Sequence, residues 1–132
     1  MDAIKSRLEE IARETRRNLT TERLPEYLKG YMGVSTLRMG CHLGARGTYN
    51  AIKREIGKGT LEGDNTTPRV FALRLKDGLH FVTEYNGHII DPTITQYDPD
   101  ARNFVFSPGE KYPLKVVQIR DVTDLQFWQS DN

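Results

Sequence analysis

Residues 73–93 read LRLKDGLHFVTEYNGHIIDPT, and this stretch decides the fold. It holds two dipeptides, Asp77-Gly78 and Asn86-Gly87, each suited to a two-residue type I′ turn in which both central residues need positive φ. Apolar and polar residues alternate around them, as strands require. If both turns close directly, counting fixes the register. The first hairpin then sets Leu75 opposite His80, Leu73 opposite Val82 and Phe71 opposite Glu84. The second sets Tyr85 opposite His88, Glu84 opposite Ile89 and Val82 opposite Asp91. Residues opposite one another, or two apart on a strand, share a face. One face therefore carries Phe71, Leu73, Leu75, His80, Val82, Glu84, Ile89 and Asp91, and His80 and Asp91 become diagonal neighbours within hydrogen-bonding reach.

That face needs a cover. The segment MGCHLGARGTYNAIKREIGKG, residues 39–59, ends in a helix with the stripe Tyr49, Ile52 and Ile56, stopped by Gly57 and Gly59. Extending the stripe backwards gives Ala45 and then Cys41. Gly44 and Gly47, with Thr48 as a competing cap, predict irregular first turns. Cys41 is thus expected at or just before the helix N-terminus, its sulfur directed at His80 on the face being covered.

A cysteine, a histidine and an aspartate converging in this way have a plain chemical reading. His80 takes the thiol proton, the positive end of the helix favours the thiolate, and Asp91 fixes the ring tautomer. Amides at the helix start, those of Cys41 and His42 among them, are candidate oxyanion donors. The bland alternatives are a packed core cysteine, a satisfied core histidine, and an Asp91 that only starts a turn before Pro92. His42 adjoins the thiol without a carboxylate partner, His88 lies on the opposite face, and Glu84 is open to three readings, a rim residue, a substrate-contacting residue or the exposed end of the strand.

Outward from this centre, Ile4, Leu8, Ile11 and Ala12 recur at helical spacing, which predicts an amphipathic helix over residues 2–19 with a solvated charged face. Within TTERLPEYLKGYMGVST, residues 20–36, a shorter helical piece is expected, capped at Thr20 or Thr21, with Pro25 in its first turn and Gly30 at its end. Further strands are expected near NFVFS (103–107) and LKVVQIRDV (114–122).

The chain of 132 residues fits one domain. Its 19 basic and 18 acidic side chains leave a formal charge of +1, with no global field toward nucleic acid or an anionic membrane. A single cysteine excludes an internal disulfide, and the cysteine and histidine spacings give no zinc signature. No run approaches a membrane span, and the charged N-terminus is unlike a secretory signal. The expectation is a cytoplasmic protein, or one delivered into a target cell by a dedicated route.

The segments GCHLGARGTYNAIKREI (40–56) and LHFVTEYNGHIIDPT (79–93) together resemble the papain-like core of bacterial toxins and effectors, a group that includes glutamine deamidases. The shared pattern is a cysteine at a helix start, a histidine opening a strand, and an aspartate after a glycine turn and apolar residues on the next strand. Cys41, His80 and Asp91 match those positions. Asp91, Pro92 and Thr93 are also similar to a motif of transglutaminase-like proteins. Where papain-type peptidases usually carry a glutamine upstream of the nucleophile, GVSTLRM offers Ser35, Thr36 and Arg38.

The resemblance implies an α+β domain over residues 1–132, with N-terminal helices and the nucleophile helix packed on an antiparallel sheet. It implies a Cys41-His80-Asp91 triad acting on an amide of a protein substrate, without a cofactor, with side-chain deamidation ahead of peptide hydrolysis. A toxin of this kind would have an immunity protein as partner. The rival classes are a non-enzymatic protein-binding module, tested by thiol reactivity, and an RNA-cleaving enzyme using His42 and His80.

Overall fold

In the computed structural model, which describes residues 3–18, 36–61, 67–76 and 78–124, two helices precede five strands. They are α1 (Ala3–Asn18), α2 (Thr36–Lys58), β1 (Arg69–Leu75), β2 (Gly78–Tyr85), β3 (His88–Ile90), β4 (Val105–Phe106) and β5 (Val116–Asp121). A 3₁₀ turn, Ile94–Gln96, interrupts the run from β3 to β4. The strands pair antiparallel in the order β4-β3-β2-β1-β5, so the chain is α+β, as its pattern predicts. The short helix expected from Thr20 or Thr21 to Gly30 lies outside the described residues.

The β2–β3 hairpin has the predicted register, with Thr83 opposite Ile90, Glu84 opposite Ile89 and Tyr85 opposite His88. Its turn has Asn86 at φ 52° and Gly87 at φ 85°. Gly87 is required twice over, since a Cβ there would also come within 2.7 Å of Pro108 Cγ.

The β1–β2 hairpin departs from its expected register by two residues. Leu73 lies opposite His80, Phe71 opposite Val82 and Arg69 opposite Glu84, while Gly78 pairs with Leu75 and is a strand residue rather than part of the turn. The observed register opposes unlike charges, and Arg69 Nη2 lies 2.8 Å from Glu84 Oε2. The expected one would have set the Phe71 ring against that carboxylate. Because a slip of two preserves the faces, His80 and Asp91 still share a side.

The larger correction concerns which face the helices cover. Thr83 Oγ1 donates to the carbonyl of Ala45 at 2.9 Å, and Ala45 and Tyr49 pack with Val70. Ile52 joins Leu8 and Ile11 of α1 on Tyr85 and Ile90. Val70, Thr83, Tyr85 and Ile90 lie on the side opposite His80, given the pairings of β1, β2 and β3. The His80 face is covered instead by the segment between β4 and β5, whose Tyr112 and Leu114 pack with Leu73, Leu75 and Val82.

α2 also begins earlier than expected, at Thr36. Cys41 is therefore inside its second turn, and Thr48 is a buried mid-helix residue rather than a cap. Glycine inside this helix has a packing reason, because a Cβ at Gly47 would come within 3.1 Å of Thr15 Cγ2 on α1. The close approach of the two helices offsets the ~1 kcal/mol that glycine costs in a helix interior.

The polar side of α1 is not simply solvated. Glu9 accepts from the amides of Phe104 and Val105 at 3.2 and 3.1 Å, capping the outer end of the sheet. Arg16 donates to the Pro92 carbonyl at 3.1 Å and to Thr95 Oγ1 at 2.8 Å, and the guanidinium groups of Arg13 and Arg16 lie over the Phe104 ring. α1 thus holds the segment that follows Asp91.

Candidate active site

β3 pairs with β2 only at Thr83, Glu84 and Tyr85. Between Leu79 and Val82, β2 has no strand beside it on that side, and the chain leaving β3 turns away after Ile90. His80 sits on this stretch and Asp91 is the first residue past β3, so the two meet where the ladder stops. His80 Nε2 faces both carboxylate oxygens of Asp91, at 2.8 and 2.9 Å. Both residues have no exposed surface.

A carboxylate accepts only, so Nε2 carries the proton and Nδ1 is the free nitrogen of the neutral ring. Nδ1 is buried and has no partner at full hydrogen-bond geometry. The Cys41 side chain is nonetheless close enough to act on the ring's acidity. Cys41 lies one helical turn before Ala45, the residue that Thr83 bonds. A thiol near an imidazole without full alignment is common before substrate arrives. Of the three residues only Cys41 keeps any exposure, 5%.

Burial acts to lower the pKa of His80, but the hydrogen bond to Asp91 and the nearby Cys41 side chain outweigh it and hold the ring at about 9, above its ordinary 6.5. The shift favours the charged form of the ring. Two residues that the sequence did not single out complete the surroundings. Tyr112 donates to Asp91 Oδ2 at 2.6 Å, and burial, then the charge of Asp91, raises its pKa so that it stays a donor. Tyr97 sets its ring edgewise on His80, centroids 5.1 Å apart, with its hydroxyl 3.4 Å from the Leu79 carbonyl. Tyr112 sits in a turn-rich stretch, PGEKYP, with no periodicity to mark it.

The remaining candidates separate from this cluster. Glu84 is buried and paired with Arg69, not a rim residue. His88 lies on the helix-covered face, 3.1 Å from Ser107 Oγ. The side chains of His42, Thr36 and Arg38, and all of Ser35, fall outside the described residues. The amides of Cys41 and His42 lie beyond the opening turn of α2, within its own hydrogen-bond ladder. They are not available as the oxyanion donors expected of them, and the helix dipole is weaker at Cys41 than at a true N-terminus.

Among the described residues, no group of three or more His, Cys, Asp or Glu side chains is placed to hold a metal ion, and no helix is long and apolar enough to cross a membrane. No family model, curated protein or solved structure matches this chain. What the site does therefore follows from its own chemistry.

Proposed function

We propose that the chain is a thiol-dependent amide hydrolase of papain-like type, with Cys41 as nucleophile, His80 as proton carrier and Asp91 as the residue that orients it. The observation that carries this reading is a fully buried histidine, held through Nε2 by a buried carboxylate, with the only cysteine of the sequence close enough to act on the ring's acidity. Burial alone would discharge the ring, and a charged imidazolium beside a thiol favours the thiolate by reciprocity.

The steps balance as follows. The Cys41 thiolate attacks the carbonyl carbon of a carboxamide, and the Nδ1 proton of His80 goes to the departing nitrogen, which leaves as ammonia or an amine. Nδ1 then takes a proton from water, the hydroxide attacks the thioester, and the carboxylic acid departs as the sulfur regains its starting state. Asp91 holds the ring throughout, and Tyr112 holds Asp91.

Side-chain deamidation of glutamine in a protein substrate stands ahead of peptide hydrolysis, and a role as a delivered toxin or effector is consistent with it. Both preferences rest on the resemblance of the sequence to that group. The test is intact-mass profiling of candidate proteins after incubation with the chain. Deamidation adds about one dalton, and Cys41→Ala should reduce the rate about a hundredfold or more. Full activity in Cys41→Ala, or cleavage of RNA that survives the loss of Cys41, would end the thiol mechanism.

A further inference from the structure

Among the described residues, α2 covers the helix side of the sheet at Val70 and Thr83 and does not cover the far end of that face. A groove of about 670 Å³ lies there, with Phe81, Leu79 and Val122 among its apolar lining and Arg74, Lys76 and Arg120 as its charged residues. No carboxylate lines it. The three cations are exposed and make no ion pair or hydrogen bond with another described side chain. This one-signed lining is not a reflection of overall composition, since basic and acidic residues number 19 and 18 in the whole chain. A concave, apolar floor rimmed by uncompensated cations favours a ligand that is apolar on one side and negatively charged on the other.

The groove also leads toward the candidate nucleophile. Phe81 follows His80 in the chain, and Phe81 and Val122, which line the groove, pack against the cluster that Ala45 and Tyr49 of α2 form with Val70. Ala45 is one helical turn past Cys41. A chain that leaves the groove across Phe81 therefore meets α2 beside the turn that carries the thiol.

We propose that this groove is a docking site for an acidic segment of the protein substrate, with apolar side chains seated on Phe81 and Leu79 and carboxylates met by Arg74, Lys76 and Arg120. The proposal rests on the hydrolase reading for the role of the bound segment as substrate, though not for the binding itself. A nucleic-acid single strand fits less well, because such sites interleave several aromatic stacking platforms along a basic track, and here Phe81 is the one aromatic in the lining.

The test uses the full chain carrying Cys41→Ser, so that no turnover intervenes. Three labelled probes are titrated by fluorescence anisotropy: a short peptide alternating Glu and Leu, the same peptide with Lys in place of Glu, and an oligothymidylate of equal length. The acidic peptide should bind, weaken as salt is raised, and lose about tenfold or more in affinity in Arg74→Glu/Arg120→Glu, that is, about 1.4 kcal/mol. Lys76→Glu alone should weaken it to a smaller extent. The lysine peptide should not bind. Because the altered side chains are exposed, the variants should keep the wild-type circular dichroism.

Failure of the acidic peptide to bind, equal binding by the charge-reversed variants, or tighter binding of the oligothymidylate would overturn the proposal. The two readings fail separately. Peptide binding without any mass change in any substrate contradicts the hydrolase, whereas catalysis that is indifferent to Arg74 and Arg120 contradicts the groove.

Discussion

The two faces of the sheet are built on different terms. The helix side packs Val70, Tyr85 and Ile90 under α1 and α2, with Thr83 tied to the backbone of Ala45. On the other side a loop suffices as cover, its Tyr112 and Leu114 packing with Leu73, Leu75 and Val82, and the same face carries the buried His80, Asp91 and Glu84. Burying charge is costly unless each group is paired, and each of these is, His80 with Asp91, Asp91 with Tyr112, Glu84 with Arg69. One face supplies stability through apolar area. The other holds polar groups in fixed mutual geometry, which stabilises little on balance but is what proton transfer needs.

Substitutions should therefore separate by face. Ile52→Ala, at a side chain with no exposure, should destabilise by about 3 kcal/mol, measured by urea unfolding, while His80 keeps its titration. If His80 shifts as much as in the variants below, the two faces are not independent. Tyr112→Phe should cost about 2 kcal/mol, the loss of a buried hydrogen bond to a charged acceptor. It should also raise the pKa of His80, because Asp91 then has one fewer donor competing for its charge. Imidazole NMR titration reads that shift, and a stability loss without one would reduce Tyr112 to a packing residue.

The smallest effect is a dependence on pH. A histidine whose folded pKa is raised contributes stability that is complete below 6.5 and is lost as pH rises through the folded value, about 9 in the intact chain. Measured in Cys41→Ala, the thiol's own proton does not enter. The contribution from Cys41 is gone and that from Asp91 remains, so the loss of stability with rising pH should be smaller than in the intact chain. Adding Asp91→Asn should reverse the slope, since burial alone lowers the ring's pKa. Denaturant midpoints across pH 6 to 9 in the two backgrounds check this directly.

Much of this geometry is legible in residues 73–93, and the exceptions have physical causes. Asn86-Gly87 sets its hairpin because both positions demand positive φ and Pro108 crowds Gly87. Asp77-Gly78 carries the same signal, but pairing of Arg69 with Glu84 outweighs it and draws Gly78 into the strand. The pairing of His80 with Asp91 survives that shift because a sheet repeats every two residues. Which face the helices cover is not legible, because β1 and β2 are apolar on both sides: Val70 and Tyr85 on one, Leu73 and Val82 on the other. Nor is the start of α2, where Gly44 and Gly47 argue against a helix that the approach of Thr15 supports. Tyr112 reaches Asp91 from 21 residues away, a contact that no local pattern encodes.

The central claim, that Cys41 and His80 act as a pair, is tested most directly by the rate at which iodoacetamide alkylates Cys41 at about pH 6, where an ordinary thiol is nearly all protonated. The native chain is compared with His80→Gln, in which the glutamine amide can still donate to Asp91 and so does not strand a buried carboxylate. The pair predicts rapid labelling in the folded native chain and at least about tenfold slower labelling in His80→Gln. Equal rates in the two proteins, or a thiol that reacts only once the chain is unfolded, would contradict it and leave Cys41 as a packed core residue.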